Sequence, residues 1–300
     1  MVRAGLALLL LPTLVLAELK VVIVEGLGGE ERYNVQFEEQ IDIVEAASRA
    51  LTGDDNIAIF RSGEFARDDV LEHFKDLDSD MQDDDRLLLY LIGHGSFDDH
   101  EYKFNIAGPD LTDIDLFELL ENLPGTNQLV VNTSSSSGAT LDLLKRDDRT
   151  VIAATRGGAE RHATRFGRYF AAALSDSSAD LDKNELISAE EAFQFAERQV
   201  TDYYERNGQL ATEHPRLEGN QAARFSLARL GTVRQAVADA QLERLVNRRN
   251  ALNDAIDGLR VRSDQLSVEE YQAELLPLLI ELATVEDDIE ERERELGDED

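Results

Sequence analysis

The sequence predicts an α/β protein, a mostly parallel β-sheet with helices on both faces, extended by a C-terminal α-helical hairpin or short coiled coil. Three observations carry this. Short runs rich in Val, Ile or Leu recur between residues 20 and 154, each ended by glycine or polar residues, as strands buried on both faces are. Helical patterns fill the intervals, and strictly alternating strand and helix argue for parallel pairing with crossover helices. Beyond Gly231 the pattern becomes leucine-rich and highly charged at helical spacing.

In order, the strand expectations are Lys20–Val24, Asn56–Phe60, Arg86–Ile92, Gln128–Asn132 and Thr150–Ala154. Helices are expected at about Gln36–Leu51, Asp68–Leu77, Thr112–Asn122 and Ala139–Leu144. Gly26-Leu27-Gly28-Gly29 lacks the last glycine of a dinucleotide fingerprint and the Lys-Ser/Thr of a phosphate loop, so it reads as a tight turn. Tyr102, Phe104 and Ile106 alternate with polar residues and predict a small hairpin strand. It precedes a turn at Gly108-Pro109 and a helix cap at Asp110 or Thr112. Asp83-Asp84-Asp85 and Asp98-Asp99 read as a solvated acidic rim around the third strand, with cation binding as the alternative.

Val233, Val237, Leu242, Leu245, Leu252, Ile256 and Leu259 form one helical stripe. Tyr271, Leu275, Leu278, Leu279, Leu282, Val285 and Ile289 form a second, opened by a capping box of Ser267 and Glu270. Pro277 should kink or loosen the second arm. The tail Glu290–Asp300 is too charged to pack and is expected to fray. Either the hairpin packs on its own domain or it presents a face to a protein partner.

Met1-Val2-Arg3, an apolar stretch to Leu16 and Val15-Leu16-Ala17 together match a secretory signal. The run is too short to cross a bilayer, although it could serve as an uncleaved anchor. The expected units are therefore a signal peptide (1–17), an α/β domain (18–228) and a helical hairpin with a charged tail (229–300), secreted or periplasmic. No membrane span is expected once the signal is cleaved. With no cysteine, stability must come from a packed core rather than disulfides. A formal net charge of -32 disfavours nucleic acid and anionic membranes as partners, and fits a saline habitat.

Two strand-end motifs carry the chemistry. Gly93-His94-Gly95-Ser96 follows LLLYLI, and Asn132-Thr133-Ser134-Ser135-Ser136-Ser137-Gly138 follows QLVV; loops at carboxyl ends of parallel strands are where such sheets build their sites. This order, completed by Val151-Ile152-Ala153-Ala154-Thr155, resembles the legumain family of cysteine peptidases. That family includes the catalytic subunit of the glycosylphosphatidylinositol transamidase and shares its fold with caspases. The resemblance spans roughly residues 20 to 220 and implies a caspase-like sheet. It assigns the general base to His94, the nucleophile's position to Ser135, and an oxyanion hole to the Gly95 and Ser135 amides.

The departure is that serine stands where the family has cysteine. A thiol is acidic enough for one histidine to activate it, whereas a hydroxyl normally needs a histidine oriented by a carboxylate. The nearest carboxylates in sequence are Asp98 and Asp99. The implied readings are a pseudo-peptidase that binds peptide or protein segments, a working serine hydrolase using Ser135 and His94, and a structural reuse of the fold. Arg32, Arg156 and Arg161 are candidates to face the cleft.

Asp180, Asp182, Asn184, Leu186 through its carbonyl, Ser188 and Glu191 occupy the ligand positions of an EF-hand calcium loop. An incoming helix is expected near Thr164–Leu174 and an outgoing one at Ala189–Arg206. Glu185 stands where that pattern wants glycine. The alternative is an acidic connector in which Ser188 is only an N-cap. Thr212-Glu213-His214-Pro215 either buttresses the sheet edge or approaches the cleft.

Overall fold

The computed structural model describes residues 17–125, 127–230 and 239–297. The expected signal peptide, apart from Ala17, and Val233 and Val237 of the hairpin pattern lie outside the described residues. The elements are β1 (Leu19–Glu25), α1 (Glu31–Arg49), β2 (Ile57–Phe60), α2 (Arg67–Asp80), β3 (Arg86–Ile92), β4 (Gly95–Phe97), β5 (Tyr102–Phe104) and β6 (Leu111–Thr112). There follow α3 (Asp113–Glu121), β7 (Asn127–Asn132), α4 (Leu141–Leu144), β8 (Arg149–Ala153), α5 (Phe166–Ala173), β9 (Leu186–Ser188), α6 (Ala189–Arg206), β10 (Arg216–Glu218) and β11 (Ser226–Arg229). Helices α7 (Ala240–Val261) and α8 (Val268–Gly297) complete the chain.

The main sheet has the spatial order β10-β8-β7-β3-β1-β2. All neighbours are parallel except β10, which closes the edge antiparallel to β8. The chain works outward from β1 to β2, then crosses to β3 and proceeds the other way. This places the topological switch between β1 and β3, where open α/β sheets form a crevice at their carboxyl ends.

Alternation of side chains then sorts two cores. Val21, Ile23, Leu88, Tyr90, Leu129, Val131 and Ile152 pack against α1, α5 and α6. Val22, Val24, Leu87, Leu89, Val130 and Val151 pack against α2, α3 and α4. Helices therefore cover both faces, as the alternation of elements predicts. Among the described residues, no helix is long and apolar enough to cross a membrane.

Several local expectations are revised. The hairpin strand at Tyr102–Phe104 is the centre of a three-stranded antiparallel sheet, because Gly95–Phe97 of the His-Gly motif and Leu111–Thr112 pair on either side. The helix expected at Ala139–Leu144 starts as a 3-10 turn at Ser137–Thr140. Asp85 is buried rather than part of a solvated rim, its carboxylate accepting the Glu18 and Gln82 N–H groups at 2.7 and 2.8 Å.

The two C-terminal helices form an antiparallel pair around Leu242, Val246, Leu252, Val285 and Ile289. The Ser267–Glu270 capping box is present, with Ser267 Oγ donating to Glu270 Oε2 at 2.7 Å. Helix α8 continues through Pro277 and on to Gly297. The expected fraying is thus corrected over residues 290–297: Leu296, seven residues after Ile289, joins the same cluster, and Arg292 pairs with Asp239 at 2.8 Å. The pair meets the α/β body where Arg229 Nη2 donates to the Asn250 carbonyl at 3.1 Å and Arg249 faces Glu185 at 3.8 Å.

Candidate functional site

Both motifs stand at carboxyl ends of adjacent central strands, β3 and β7, with Leu91 and Asn132 in register. Thr133 ties them together, its N–H and Oγ1 both donating to the Leu91 carbonyl at 3.0 and 2.9 Å. Gly95 brings β4 against the serine turn. A methyl group there would lie 2.6 Å from the Ser135 carbonyl and 2.7 Å from Ser134 Oγ, so a side chain is excluded. The first motif is therefore two glycines of close approach on either side of the candidate residue His94.

His94 is partly buried, its ring meeting Tyr33 edge-on at 4.6 Å and Phe37 at 5.2 Å between centroids. Burial holds its pKa below the ordinary 6.5, opposed by a hydrogen bond to the Gly28 backbone and by the charge of Glu30. The imidazole is thus neutral at neutral pH, the form a general base requires. Among the described residues no carboxylate is hydrogen-bonded to it, nor is Ser135. Asp98 instead accepts the His100 and Glu101 N–H groups of its own turn, and Asp99 pairs with Arg161 at 3.1 Å. Neither aspartate orients the histidine.

The serine run is no loose turn. Ser134 to Ser137 are all buried, and their contacts differ. Ser134 Oγ closes a triangle with Tyr102 OH (2.6 Å) and Asn132 Oδ1 (2.8 Å), and Asn132 Nδ2 donates to Tyr102 OH at 3.0 Å. Burial raises the Tyr102 phenol, keeping it protonated. Ser136 adopts the left-handed conformation (φ 58°) that non-glycine residues take uncommonly. Its N–H donates to the Glu160 carbonyl at 2.9 Å, while its hydroxyl is buried without a partner. Ser137 Oγ lies 3.3 Å from Thr155 Oγ1, which also receives the Gly138 N–H at 2.8 Å. Ser135 is the exception: among the described residues neither its N–H nor its hydroxyl is engaged. That is the arrangement expected of a nucleophile position with one oxyanion donor.

The loop after β8 packs onto this turn. Thr164 Oγ1 donates to the Thr133 carbonyl at 2.6 Å, and the Glu160 side chain accepts the His214 and Arg156 N–H groups, each at 3.0 Å. His214 Nδ1 lies 2.5 Å from Glu160 Oε1. Buried Glu213 accepts from the Arg165 and Phe166 N–H groups and from Tyr204 OH, and burial raises its pKa. The Thr-Glu-His-Pro segment therefore buttresses the β8 loop at the sheet edge. Neither Glu160 nor the Tyr33–Phe37 cradle is signalled by sequence spacing, since each partner lies tens of residues from the group it serves.

Beside His94 is a pocket of about 140 Å³. It shares Tyr33 and Phe37 with the histidine and Thr133 with the serine turn, and carries Arg32, Arg165 and Arg168. Arg165 also stacks on Tyr203 at 3.7 Å. Arg156 and Arg161 do not line it and pair with Glu160 and Asp99.

In the 180–191 loop, oxygens of Asp180, Asp182 and Glu191 lie within 4.8 Å of one another. Asp180 accepts the Asn184 and Glu185 N–H groups, Asn184 Oδ1 accepts that of Leu186, and Glu191 accepts those of Leu181 and Ser188. Glu185 takes φ 63°, the left-handed conformation for which the EF-hand pattern uses glycine. Ser188 is indeed the N-cap of α6, with Glu191 completing its box. Leu186 and Ser188 also begin and end β9, paired with β11.

No family model matches the chain, and no curated protein sequence matches it. Among solved structures it is similar to protein GSU0716 of Geobacter sulfurreducens, at 11% identity over 71% of this chain and 100% of that one, with a TM-score of 0.47. It is also similar to caspase-1 of Spodoptera frugiperda, at 10% identity over 72% and 92% of the two chains, with a TM-score of 0.45. At these values neither likeness assigns a residue or an activity to this protein.

Proposed function

We propose that this chain is an exported caspase-fold, legumain-like peptidase homologue that binds peptide or protein segments at the β3–β7 crevice without hydrolysing them. One observation carries the reading: among the described residues no carboxylate is hydrogen-bonded to His94, while the Ser135 hydroxyl it would have to activate sits in a rigid, buried turn. In the well-studied serine triad, disabling the carboxylate costs about four orders of magnitude. Among the described residues the site has parts that can position a segment and no carboxylate that would help ionise a hydroxyl. A neutral His94 and the unengaged Ser135 N–H are what favours the alternative, a slow Ser135–His94 hydrolase.

The arginines of the neighbouring pocket suit an acidic side chain of the bound segment. The hairpin offers a second surface, since Leu276, Leu279 and Ile280 are exposed on α8. Calcium is the cation we propose for the 180–191 loop, in a structural role. Its oxygen donors suit a hard ion, and the unfavourable conformation of Glu185 weakens rather than forbids it.

The test is fluorescence anisotropy with a labelled Ala-Ala-Asp-Ala-Ala peptide, followed by mass spectrometry of the incubated peptide. Saturable binding that weakens at least tenfold in Arg168→Gln, with intact peptide recovered, is expected; cleavage, or no binding, contradicts the reading. Millimolar calcium should raise the melting temperature of the wild type and not of Asp180→Ala, and an unchanged wild-type melt counts against the loop as a calcium site.

A further inference from the structure

Two arginines are buried at the amino edge of the sheet, and they differ in one respect. Arg149, on the α2–α4 face, is fully partnered: Nε donates to Gln128 Oε1 at 2.7 Å, Nη1 to the Leu144 carbonyl at 2.8 Å, and Nη2 to Glu121 at 3.0 Å. Arg86, at the start of β3 on the opposite face, is 5% exposed, and its Nε and Nη1 are buried without a partner. Its guanidinium lies 5.7 Å above the ring of Phe225 and in no ion pair among the described residues. The neighbouring buried carboxylate, Asp85, is committed to the Glu18 and Gln82 N–H groups.

More polar atoms lie unpartnered on the same face. Asn127, in register with Arg86 on the adjacent strand, is 1% exposed with both Nδ2 and Oδ1 free. Thr150 Oγ1, on the next strand, and Gln221 Oε1, in the segment leading to Phe225, are also buried and free. A side chain at Gly219 would lie 2.8 Å from Thr150 Oγ1, so the 219–225 segment closes over this corner. Adjacent strands place Arg86 and Asn127 about 4.8 Å apart along the sheet, yet their donors and acceptors do not meet. Buried polar groups are nearly always paired, and a buried charge without a counter-charge is the costliest exception.

We propose that Arg86 and Asn127 form a buried binding site for one small monovalent anion of the halide class. The single positive charge sets the valence, and the burial of both residues favours a small ion. Arg86 Nε and Nη1 and Asn127 Nδ2 supply three N–H donors, and Thr150 can add a hydroxyl. Such a site makes the sheet's amino edge depend on a particular anion, in a protein whose acidic surface gathers cations.

Melting temperatures measured in sodium chloride and in sodium gluconate at equal ionic strength test this, because gluconate is too large to enter. Chloride should raise the wild-type value by a few degrees over gluconate, and Arg86→Met should abolish the difference without falling below the wild type in gluconate. Equal melting of the wild type in the two salts, or an undiminished chloride effect in the variant, overturns the proposal. Should Arg86→Met not fold, crystals of the wild type soaked in bromide decide: an anomalous peak between the Arg86 guanidinium and Asn127 is expected, and water alone there refutes the site.

Discussion

His94 and His214 divide between them what a single catalytic base would need. His94 stands at the end of β3 beside the serine turn, wedged against Tyr33 and Phe37, with a hydrogen bond to the Gly28 backbone. His214 stands near the outer edge of the sheet, half-exposed, with Glu160 at 2.5 Å from Nδ1. The carboxylate–imidazole pair that serine chemistry calls for is therefore present, but on the histidine that braces a loop. The difference teaches that location and activation are separable: glycines and buried hydroxyls hold the crevice in place, while the described carboxylate–imidazole pair lies elsewhere.

The strongest way to break the comparison is to disturb that geometry. Gly138→Ala places a methyl group in overlap with the backbone of Arg156 and Gly157, which have no flexible end to yield. A loss of about 3 kcal/mol is expected from overpacking of this kind, measured by urea denaturation. A loss below about 0.5 kcal/mol would show the turn to be loosely held.

A smaller effect sharpens the comparison from the chemical side. Ser135→Cys supplies the nucleophile that a lone histidine can activate, so iodoacetamide should alkylate it at neutral pH at least about tenfold faster than a free thiol. His94→Ala in that background should remove the advantage, and His214→Ala should leave it. Equal sensitivity to both histidines would move the functional base to the sheet edge.

The smallest effect is in the pH dependence of stability. Because the folded pKa of His94 lies below its ordinary 6.5, the unfolded chain binds the proton first as pH falls. Its contribution is complete above 6.5 and is lost as pH drops through the folded value. His94→Asn should flatten this part of the denaturation profile, leaving the share of His73, which burial depresses in the same direction. A steeper profile in the variant would mean that His94 is stabilised in its charged form.

Much of the scaffold was legible because its signals are local. The run Leu87–Ile92 is apolar without interruption and forms β3 together with Arg86 at its start, and Ala189–Arg206 is bounded by its capping box and forms α6. Strands β4, β6 and β10, of two or three residues each, carry no periodicity to read. Packing of the acidic tail was hidden because Leu296 is a single apolar residue among charges, and its partners lie on the other helix.

At the site, the positions of His94 and Ser135 follow from strand-end motifs, but their surroundings do not. Tyr33 and Phe37 reach His94 across some sixty residues, and Glu160 reaches His214 across 54. Asp98 and Asp99, the carboxylates nearest in sequence, are spent on their own turn and on Arg161. Spacing left open whether either could orient His94, because only the crossover topology decides that the β8 loop, rather than the β4–β5 turn, packs onto the serine turn.

The most direct measurement is labelling of the intact protein with a fluorophosphonate probe, which reacts only with an activated serine. The account predicts no labelling of the wild type at neutral pH, alongside saturable binding of the acidic peptide. Labelling that disappears in Ser135→Ala and in His94→Ala would contradict it and make this protein a serine hydrolase.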